Sequence, residues 1–330
     1  MLTTRCDSAR EQGGPIGAVP MASVAQPPAL LLSRPHILQT RWIGQQALVR
    51  MQIDSAPPGA AEWWLFDSTS PFVVVNAAAV PYLTTVGQLP DPLGCRLGVP
   101  AVRIDCTTIT TDDGTTITLP PVNAAAIDLS DVVHELNQHL VSDPHASTDQ
   151  PLQVNEFAGL LGYPLLSLFL FELNYPLRRI AIHPRWAELP GVEIPFSLTP
   201  GNLMTIPHQV DSLPTSPWLV DTRRRRSQIS YELAYNVNLT PNPPLEPLAK
   251  LPSNCIDGTA PAVPTGWRRM SSNLGRKIQL TQLTYLVPTC PRDLRLRGMG
   301  GALGTDILAS FVVFFDYTRG RLIFGFDPNA

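Results

Sequence analysis

The sequence predicts an all-β protein built from two related lobes, and three observations carry this prediction. Residues 161–182 are echoed by residues 303–324 at one constant offset, so the chain contains an internal repeat. An apolar run that ends in Asp-Ser or Asp-Thr precedes each copy, at 64–68 and at 218–222. Charged residues make up only 15% of the chain and there are 35 prolines, which favours strands and loops over long helices.

The repeated segments carry motifs that occur together in one protein family. The second half contains ALGTDIL at 302–308 and FFDY at 314–317, and the first half contains GLLG at 159–162 and NY at 174–175. Together with the two Asp-Ser/Thr loops, this order resembles the pepsin-like and retropepsin-like aspartic peptidases, in which each lobe supplies one D-[ST]-G loop. The resemblance covers residues 45–328.

The resemblance implies a bilobal acid-protease fold, with two related β-barrel lobes and a cleft between them. We expect a proline-rich, weakly ordered extension at 1–40, a first lobe at 41–185 and a second lobe at 186–330, joined through the proline-containing stretch 185–200. The resemblance further implies that Asp67 and Asp221 are the catalytic pair and that the hydroxyls of Ser68 and Thr222 cross-link the two loops. The family's chemistry needs only carboxylates and water, so no cofactor is expected.

Both aspartate loops depart from the family pattern at their third position, where Thr69 and Arg223 stand instead of glycine. In this chemistry two carboxylates about 3 Å apart share one proton, so that one acts as base and the other as acid. Glycine lets the loops, the water and the substrate approach closely, whereas threonine adds bulk and arginine adds bulk and a permanent charge. That charge favours the ionised form of both carboxylates. We therefore expect a catalytically impaired pseudopeptidase; the alternative is an active, non-standard aspartic endopeptidase that uses Asp67, Asp221 and water.

Arg223 opens a run of four arginines, 223–226, directly after the apolar run. Three arrangements are open. In the first, Arg223 points into the cleft and pairs with Asp67 or Asp221. In the second, the loop turns outward and the four arginines form a surface that binds anions. In the third, the loop has drifted and its arginines have no selected role.

Three classes of function follow. The first is an impaired peptidase-like protein that binds an extended peptide in the cleft as an added strand, or that serves as a structural or scaffold subunit. The second is the active endopeptidase. The third binds an acidic or phosphorylated partner through Arg223–Arg226, outside the cleft. A net charge of −3 gives no reason to expect a nucleic acid or an anionic membrane as partner.

Apolar patterns predict strands at 47–53, 63–66, 72–75, 102–110 and 115–119. The last two flank an Asp-Asp-Gly sequence, which is a strong hairpin signal. The resemblance implies that this hairpin, with Asp113 and Gly114 at its tip, is the flap that closes over substrate. Asp257 and Gly258 take the equivalent place in the second half. An ordinary surface hairpin is the alternative for both.

One segment, 128–140, has apolar residues at helical spacing and an Asp or Ser that can cap it, so it predicts a helix. It contains His134 and His139. A helical zinc site needs two histidines four residues apart on one face, whereas residues five apart lie about 140° apart around the helix. We therefore expect no metal site here.

The five cysteines leave two alternatives open. Pepsin-like relatives commonly carry a disulfide in the region of Cys255 and Cys290, and Cys95 could pair with Cys106, leaving Cys6 alone. The other alternative is five reduced cysteines, which we favour because no secretory signal is visible. The first 26 residues lack the compact apolar core of a signal peptide, and the longest apolar runs are of strand length. An intracellular location is therefore favoured.

Overall fold

Strands form most of the regular structure, which confirms the all-β prediction. The computed structural model describes residues 32–89, 98–142, 150–239, 265–288, 296 and 298–326, and the structural statements below concern these residues. The helices within this part are short, and none is both long and apolar enough to cross a membrane.

The elements of the first half follow one another in the order expected of a strand-rich lobe. They are β1 His36–Ile37, β2 Thr40–Ile43, β3 Gln46–Ile53, β4 Trp63–Phe66, β5 Val73–Asn76, β6 Thr85–Leu89, β7 Val99–Ile104, β8 Thr107–Thr110, β9 Thr116–Leu119, β10 Val122–Ile127, α1 Ser130–Ser142, β11 Phe157–Leu161, α2 Tyr163–Leu166, β12 Leu170–Asn174 and β13 Arg179–His183.

The second half is built in the same manner. Its elements are β14 Val192–Pro195, β15 Ser197–Leu198, β16 Met204–Val210, β17 Ser216–Val220, β18 Gln228–Ile229, α3 Tyr231–Asn236, β19 Thr265–Leu274, β20 Ile278–Pro288, β21 Gly301–Leu303, α4 Thr305–Leu308, β22 Val312–Asp316 and β23 Arg321–Gly325.

The two lobes repeat one strand arrangement. In the first lobe the neighbours run β10-β5-β11-β4-β3, and in the second they run β20-β18-β21-β17-β16. The directions also match, because β4 pairs parallel with β11 and β17 pairs parallel with β21. In the second lobe β19 pairs with both β20 and β16, so the sheet closes into a barrel and leaves β15 outside it. The internal repeat of the sequence is therefore a repeat of the fold.

A six-stranded sheet in the order β1-β13-β12-β22-β23-β14 joins the lobes. Each half supplies three strands, and the halves meet where β12 and β22 pair antiparallel. The inner face of this sheet packs beneath the first aspartate loop: the ring of Phe66, the last residue of β4, lies 5.4 Å from that of Phe171 and 5.3 Å from that of Phe315. Both lobes therefore share the apolar face of one sheet.

The repeated Asn-Tyr and Asp-Tyr motifs lie at the ends of the two central strands of this shared sheet. Asn174 Oδ1 accepts a hydrogen bond from the N–H of Leu177 at 3.0 Å, and Asp316 Oδ1 accepts one from the N–H of Arg319 at 3.1 Å. Side chains of this kind fold the backbone into a tight turn three residues on. The motif thus turns β12 into β13 and β22 into β23.

Several element boundaries differ from the predicted ones. The strand predicted at 102–110 is two strands, because the chain changes partner at residues 105–106: β7 pairs with β10, whereas β8 pairs with β3. The predicted helix is α1, which begins at Ser130, where Asp128 Oδ1 accepts from both the N–H and the hydroxyl of Ser130. β14, within the predicted connector, pairs with β23.

The predicted N-terminal extension overlaps the folded part. Within it, β1 pairs with β13 through His36 opposite Ile182, and residues 1–31 lie outside the described part of the chain. Cys106 carries a free thiol, so it does not form the alternative pair with Cys95. The other four cysteines lie outside the described residues.

Candidate functional site

The two aspartate loops are held in equivalent ways by their own lobes. Asp67 follows β4 and its N–H donates to Leu161 O at 3.2 Å, and Asp221 follows β17 and its N–H donates to Leu303 O at 2.9 Å. Each aspartate is only 1% exposed. Because a buried carboxylate is costly unless it is paired or hydrogen-bonded, the partners of both side chains determine what this site can do.

A glycine packs against each loop. A Cβ added to Gly162 would lie 1.9 Å from the carbonyl oxygen of Phe72, and one added to Gly304 would lie 2.7 Å from the carbonyl oxygen of Arg224. Neither distance leaves room for a side chain, since real Cβ contacts stay beyond 3.0 Å. The hydrophobic-Leu-Gly motif therefore recurs because only glycine lets this segment approach the loop so closely.

The loops are cross-linked through the two hydroxyls, as the resemblance implies. Ser68 N–H donates to Thr222 Oγ1 at 3.0 Å, and Thr222 N–H donates to Ser68 Oγ at 3.1 Å. Each hydroxyl also donates across the lobes, from Ser68 to Val220 O at 2.7 Å and from Thr222 to Phe66 O at 3.0 Å. These four bonds fix the position of the two loops relative to each other.

Thr69 places a hydroxyl between the two carboxylates. Its Oγ1 donates to Asp67 Oδ1 at 2.7 Å and lies 3.5 Å from Asp221 Oδ1, while its backbone N–H donates to the same Asp67 oxygen at 2.9 Å. A single side chain is therefore within hydrogen-bond reach of both aspartates. It occupies volume that a glycine would leave open between them.

Arg223 reaches across the lobes, so of the three arrangements the structure has the first. Its Nη1 lies 3.6 Å from Asp67 Oδ2, and its backbone N–H donates to Asp221 Oδ1 at 3.2 Å. The side chain is 18% exposed. Neither Thr69 nor Arg223 has a positive φ. The loop backbone thus accepts both residues without strain, and what they change is the space and the charge around the carboxylates.

Arg224, which the sequence pattern placed only in the arginine run, also contacts an aspartate, and this contact was not predicted. Its Nε donates to Asp221 Oδ2 at 3.2 Å, its backbone N–H donates to Asp221 Oδ1 at 3.0 Å, and its Nη1 donates to Gln228 Oε1 at 2.8 Å. The internal repeat contained the signal, because the fourth loop position is Ser70 in the first lobe and Arg224 in the second. Each buried carboxylate consequently has an arginine of its own.

Arg226, the last of the arginine run, lies in a different environment. It is exposed, and its charge reaches Asp306 at the start of α4. Burial raises the pKa of Asp306, although hydrogen bonds from Ser227 oppose this. The two residues are tied together, since Ser227 Oγ donates to Asp306 Oδ1 at 2.7 Å. Binding of an acidic or phosphorylated partner by Arg223–Arg226 stays a prediction.

Two tyrosines beneath the loops were also missed. Tyr175 and Tyr317 end the inner face of the shared sheet, and burial raises the pKa of both hydroxyls. The charge of Asp221 adds to this effect on Tyr175, and the charge of Asp67 adds to it on Tyr317. Each tyrosine hydroxyl therefore lies within electrostatic reach of the aspartate of the other lobe. The sequence pattern placed them only as the ends of strands.

The hairpin predicted to be the flap is formed by β8 and β9, with Gly114 at φ 80° in its turn. Its tip is tied to the segment before β2: Asp113 pairs with Arg34 at 2.9 Å, and the N–H of Asp112 donates to Ile37 O at 2.9 Å. Ile37 belongs to the shared sheet below the aspartate loops. A hairpin tied to that sheet is poorly placed to close over a substrate, so these contacts count against the flap role. Asp257 and Gly258 lie outside the described residues.

Together these contacts define a site with two buried carboxylates, two guanidinium groups and three hydroxyls. General acid–base hydrolysis needs an unhindered water and one retained proton between the carboxylates. The arrangement instead supplies positive charge to each carboxylate and a hydroxyl between them. No group of three or more His, Cys, Asp or Glu side chains in the described part of the chain is placed to hold a metal ion.

Comparison with known proteins identifies the fold. No protein-family model matches the sequence, and no curated protein is similar to it in sequence. An aspartic proteinase from Irpex lacteus has a similar structure, with a TM-score of 0.50, 12% identity, and coverage of 89% of this chain and 98% of that one. The chain therefore has the bilobal fold of the pepsin-like aspartic peptidases.

Two seed globulins are also similar in structure. Basic 7S globulin from soybean has a TM-score of 0.47 at 12% identity, covering 88% of this chain and 94% of that chain. Conglutin gamma, a basic 7S globulin from lupine seeds, has a TM-score of 0.49 at 13% identity, covering 89% and 95%.

Proposed function

We propose that this chain is a pseudopeptidase, an aspartic-peptidase-like protein that binds an extended peptide segment in the cleft between its lobes without cleaving it. One observation carries the proposal: each buried aspartate is neutralised by an arginine of the second loop, Asp67 by Arg223 and Asp221 by Arg224. A peptidase of this fold needs a carboxylic acid that can give up a proton to the leaving amine. The two guanidinium groups instead place a positive charge against each carboxylate.

The hydroxyl of Thr69 strengthens this argument. Its donation to Asp67 Oδ1 occupies one acceptor position of that carboxylate, for which an attacking water would have to compete. Its position near Asp221 Oδ1 also fills space at the centre of the pair. The guanidinium groups lie at the Oδ2 atoms of the two aspartates and the hydroxyl lies at their Oδ1 atoms. Added positive charge and loss of room therefore act on the same pair of carboxylates.

Peptide binding is the role that the remaining architecture supports. The two lobes are joined by a rigid ring of hydroxyl bonds, and the cleft between them is the place where this fold accepts an extended chain. Within the described part of the chain, the edge strand β6 of the first-lobe sheet has four exposed residues and pairs with β7 alone. A free edge of this kind can accept an added strand. Service as a structural or scaffold subunit is the other form of the same proposal.

The competing function is an active, non-standard endopeptidase. Its supporting observation is that both aspartates and both cross-linking hydroxyls keep the equivalent positions in the two lobes. The two functions differ in turnover, so turnover decides between them.

The test is cleavage of a peptide library by the purified protein over about pH 3 to 7, the range in which a shared-proton pair titrates. Asp67→Asn with Asp221→Asn serves as the inactive reference. We expect no cleavage by the folded wild-type protein. Cleavage by wild type that is absent from the reference would overturn the pseudopeptidase proposal.

A gain-of-function arm identifies the responsible residues. The triple variant Thr69→Gly, Arg223→Gly and Arg224→Ser gives the second loop the serine that Ser70 supplies in the first. Arg226→Ser removes an exposed arginine of the same run and is the matched control. We expect cleavage from the triple variant alone. Binding of a statine-type peptide analogue by the wild type, measured by calorimetry, tests whether the cleft accepts a peptide. If the folded protein does not bind the analogue, the structural or scaffold role is the form of the proposal that remains.

A further inference from the structure

The second-lobe barrel contains a buried polar cluster that the proposed function does not use. His208 of β16 is fully buried, at 0% exposure. Its Nε2 lies 2.9 Å from Ser272 Oγ of β19 and 3.2 Å from the Tyr285 hydroxyl of β20. The Tyr285 hydroxyl in turn donates to Ser272 Oγ at 2.8 Å. Three strands of the closed barrel are thus joined at one point.

A neutral imidazole satisfies this cluster. With Tyr285 donating to Ser272, the Ser272 hydroxyl keeps one proton that an unprotonated Nε2 can accept. Protonation of both ring nitrogens would place a positive charge in the barrel core. Burial lowers the pKa of His208 to about 3.

The described groups around the imidazole offer no paired counter-charge. Among them are Ser272, Tyr285 and Trp218 of β17, whose ring centroid lies 4.6 Å away. Burial raises the pKa of Tyr285, and the charges of Asp306 and Asp211 add to this effect. A protonated His208 would be a buried charge without a contacting carboxylate in the described structure, and such a charge strongly destabilises the closed barrel.

Trp218 connects the cluster to the interlobe site. It is 1% exposed and packs edge-on against both His208 and Tyr285. The backbone at Gly300 and Gly301 packs closely against the Trp218 indole. A Cβ at Gly300 would lie 2.1 Å from Trp218 Nε1, and one at Gly301 would lie 2.6 Å from Trp218 Cζ3. The same strand continues through Val220 to Asp221. A shift of Trp218 must therefore move the second aspartate loop and its bonds to the first lobe.

We propose that the His208–Ser272–Tyr285 cluster is an acid-sensitive switch that keeps the second lobe closed near neutral pH and opens it when the imidazole is protonated. Opening displaces β17 and so releases the hydroxyl bonds between Ser68 and Thr222. The inference stands on the barrel core and is independent of whether the cleft binds or cleaves a peptide.

The sign of the effect is fixed by the direction of the shift. The pKa of His208 is lower in the folded state than its ordinary value of 6.5. The stability that depends on the neutral imidazole is therefore complete above about pH 6.5 and is lost as pH falls toward 3. For one group this amounts to about a tenfold change in the folding equilibrium constant per pH unit within that window.

The experiment is thermal unfolding of the full chain between pH 7.5 and 4, for wild type, His208→Gln and His134→Gln. His134 is an exposed histidine of α1, outside the barrel, and serves as the control. We expect the Tm of wild type and of His134→Gln to fall with acid, and that of His208→Gln to fall less. Equal pH slopes in wild type and His208→Gln would overturn the proposal.

A second measurement covers the case in which His208→Gln does not fold. Hydrogen exchange of wild type, corrected for the intrinsic pH dependence, is compared at pH 7 and pH 5 for the amides of residues 218–222. We expect these amides to lose protection at pH 5, while those of β12 in the shared sheet keep theirs. Unchanged protection in 218–222 would contradict the switch.

Discussion

At the scale of single residues, the site is defined by which side chains meet the two aspartates. Sequence patterns located Asp67 and Asp221 because each follows an apolar strand and recurs with the repeat. They also led to the hypothesis that Arg223 points inward, which is the arrangement found. Arg224 was missed because the direction of a long, flexible side chain depends on contacts such as that with Gln228, which lies next to it only in the folded loop.

Removal of the Arg223 side chain should destabilise the protein. Arg223→Ala leaves the Asp67 carboxylate buried at 1% exposure without its cation. Breaking a buried ion pair by removing one partner costs about 3 kcal/mol or more. We expect a loss toward the lower end, because Arg223 retains some exposure to solvent, and urea unfolding measures it.

Two further variants make this measurement specific. Arg226→Ala, at an exposed arginine of the same run, should cost clearly less than Arg223→Ala, because only its charge reaches the buried Asp306. Asp67→Asn combined with Arg223→Ala should recover part of the loss, because the orphaned charge is gone. A gain in stability from Arg223→Ala alone would show that the pair does not stabilise the fold.

At the scale of elements, the repeat determines how strand, loop and glycine segment fit together. The run from Trp63 to Phe66 and the motif that ends in Gly162 were both visible in the sequence, and they pair as the parallel strands β4 and β11. The break between β7 and β8 was not visible. The buried positions change phase there, from Val102 and Ile104 to Thr107 and Ile109. Because a threonine begins the new phase, the apolar pattern gave little sign of the change.

The close approach of the glycine segment gives a prediction for Gly304. In Gly304→Ala the new Cβ would lie 2.7 Å from Arg224 O and 2.9 Å from the carbonyl carbon of Arg226, both of which are backbone atoms. The second aspartate loop must therefore shift, and overpacking of this kind typically costs about 1–3 kcal/mol. Urea unfolding measures the loss.

Gly201→Ala is the control for this substitution. Its Cβ would meet only Thr199 Oγ1 at 3.8 Å, which is an ordinary contact. We expect this variant to unfold at nearly the wild-type urea concentration. Equal effects of the two substitutions would show that the approach of Gly304 to the loop is not what constrains this position.

At the scale of the whole molecule, the sequence predicted two lobes but not the sheet that unites them. β1 and β14 are short strands at the ends of this sheet, and they lie within segments whose composition indicated an extension and a connector. Such pairings join residues far apart in the chain, so local propensity carries little information about them. The flap prediction has the same weakness. The turn residues predict a hairpin, but they do not predict which part of the fold that hairpin lies against.

The shared sheet also contains an acid-sensitive ion pair. Glu172 of β12 is buried; Arg179 Nη2 donates to its Oε1 at 2.6 Å, and His183 Nε2 lies 2.7 Å from its Oε2. Burial acts to raise the pKa of Glu172, but these contacts outweigh it and lower the pKa to about 2 from its ordinary value of 4.5. Its contribution to stability is therefore complete above about pH 4.5 and is lost as pH falls toward 2.

Glu172→Gln tests this window. At pH 6 the variant should be less stable than wild type, because glutamine cannot pair with Arg179. The difference should shrink below pH 4.5, where wild type begins to lose the same pair. Tm measured at half-unit steps of pH, in the background of His208→Gln if wild type unfolds too early, gives the result. A difference that stays constant down to pH 3 would contradict the assignment.

The pairing of β12 with β22 has one more consequence. The shared sheet is two half-sheets of three strands each, and five residue pairs along this single seam join them. A chain cut at Ala187, between β13 and β14, would yield two fragments, each with an uncovered strand edge that matches the other. Such fragments, produced together, are expected to reassemble by complementation, with the ionic and hydroxyl contacts between Asp67 and Arg223, and between Ser68 and Thr222, forming only in the reunited pair.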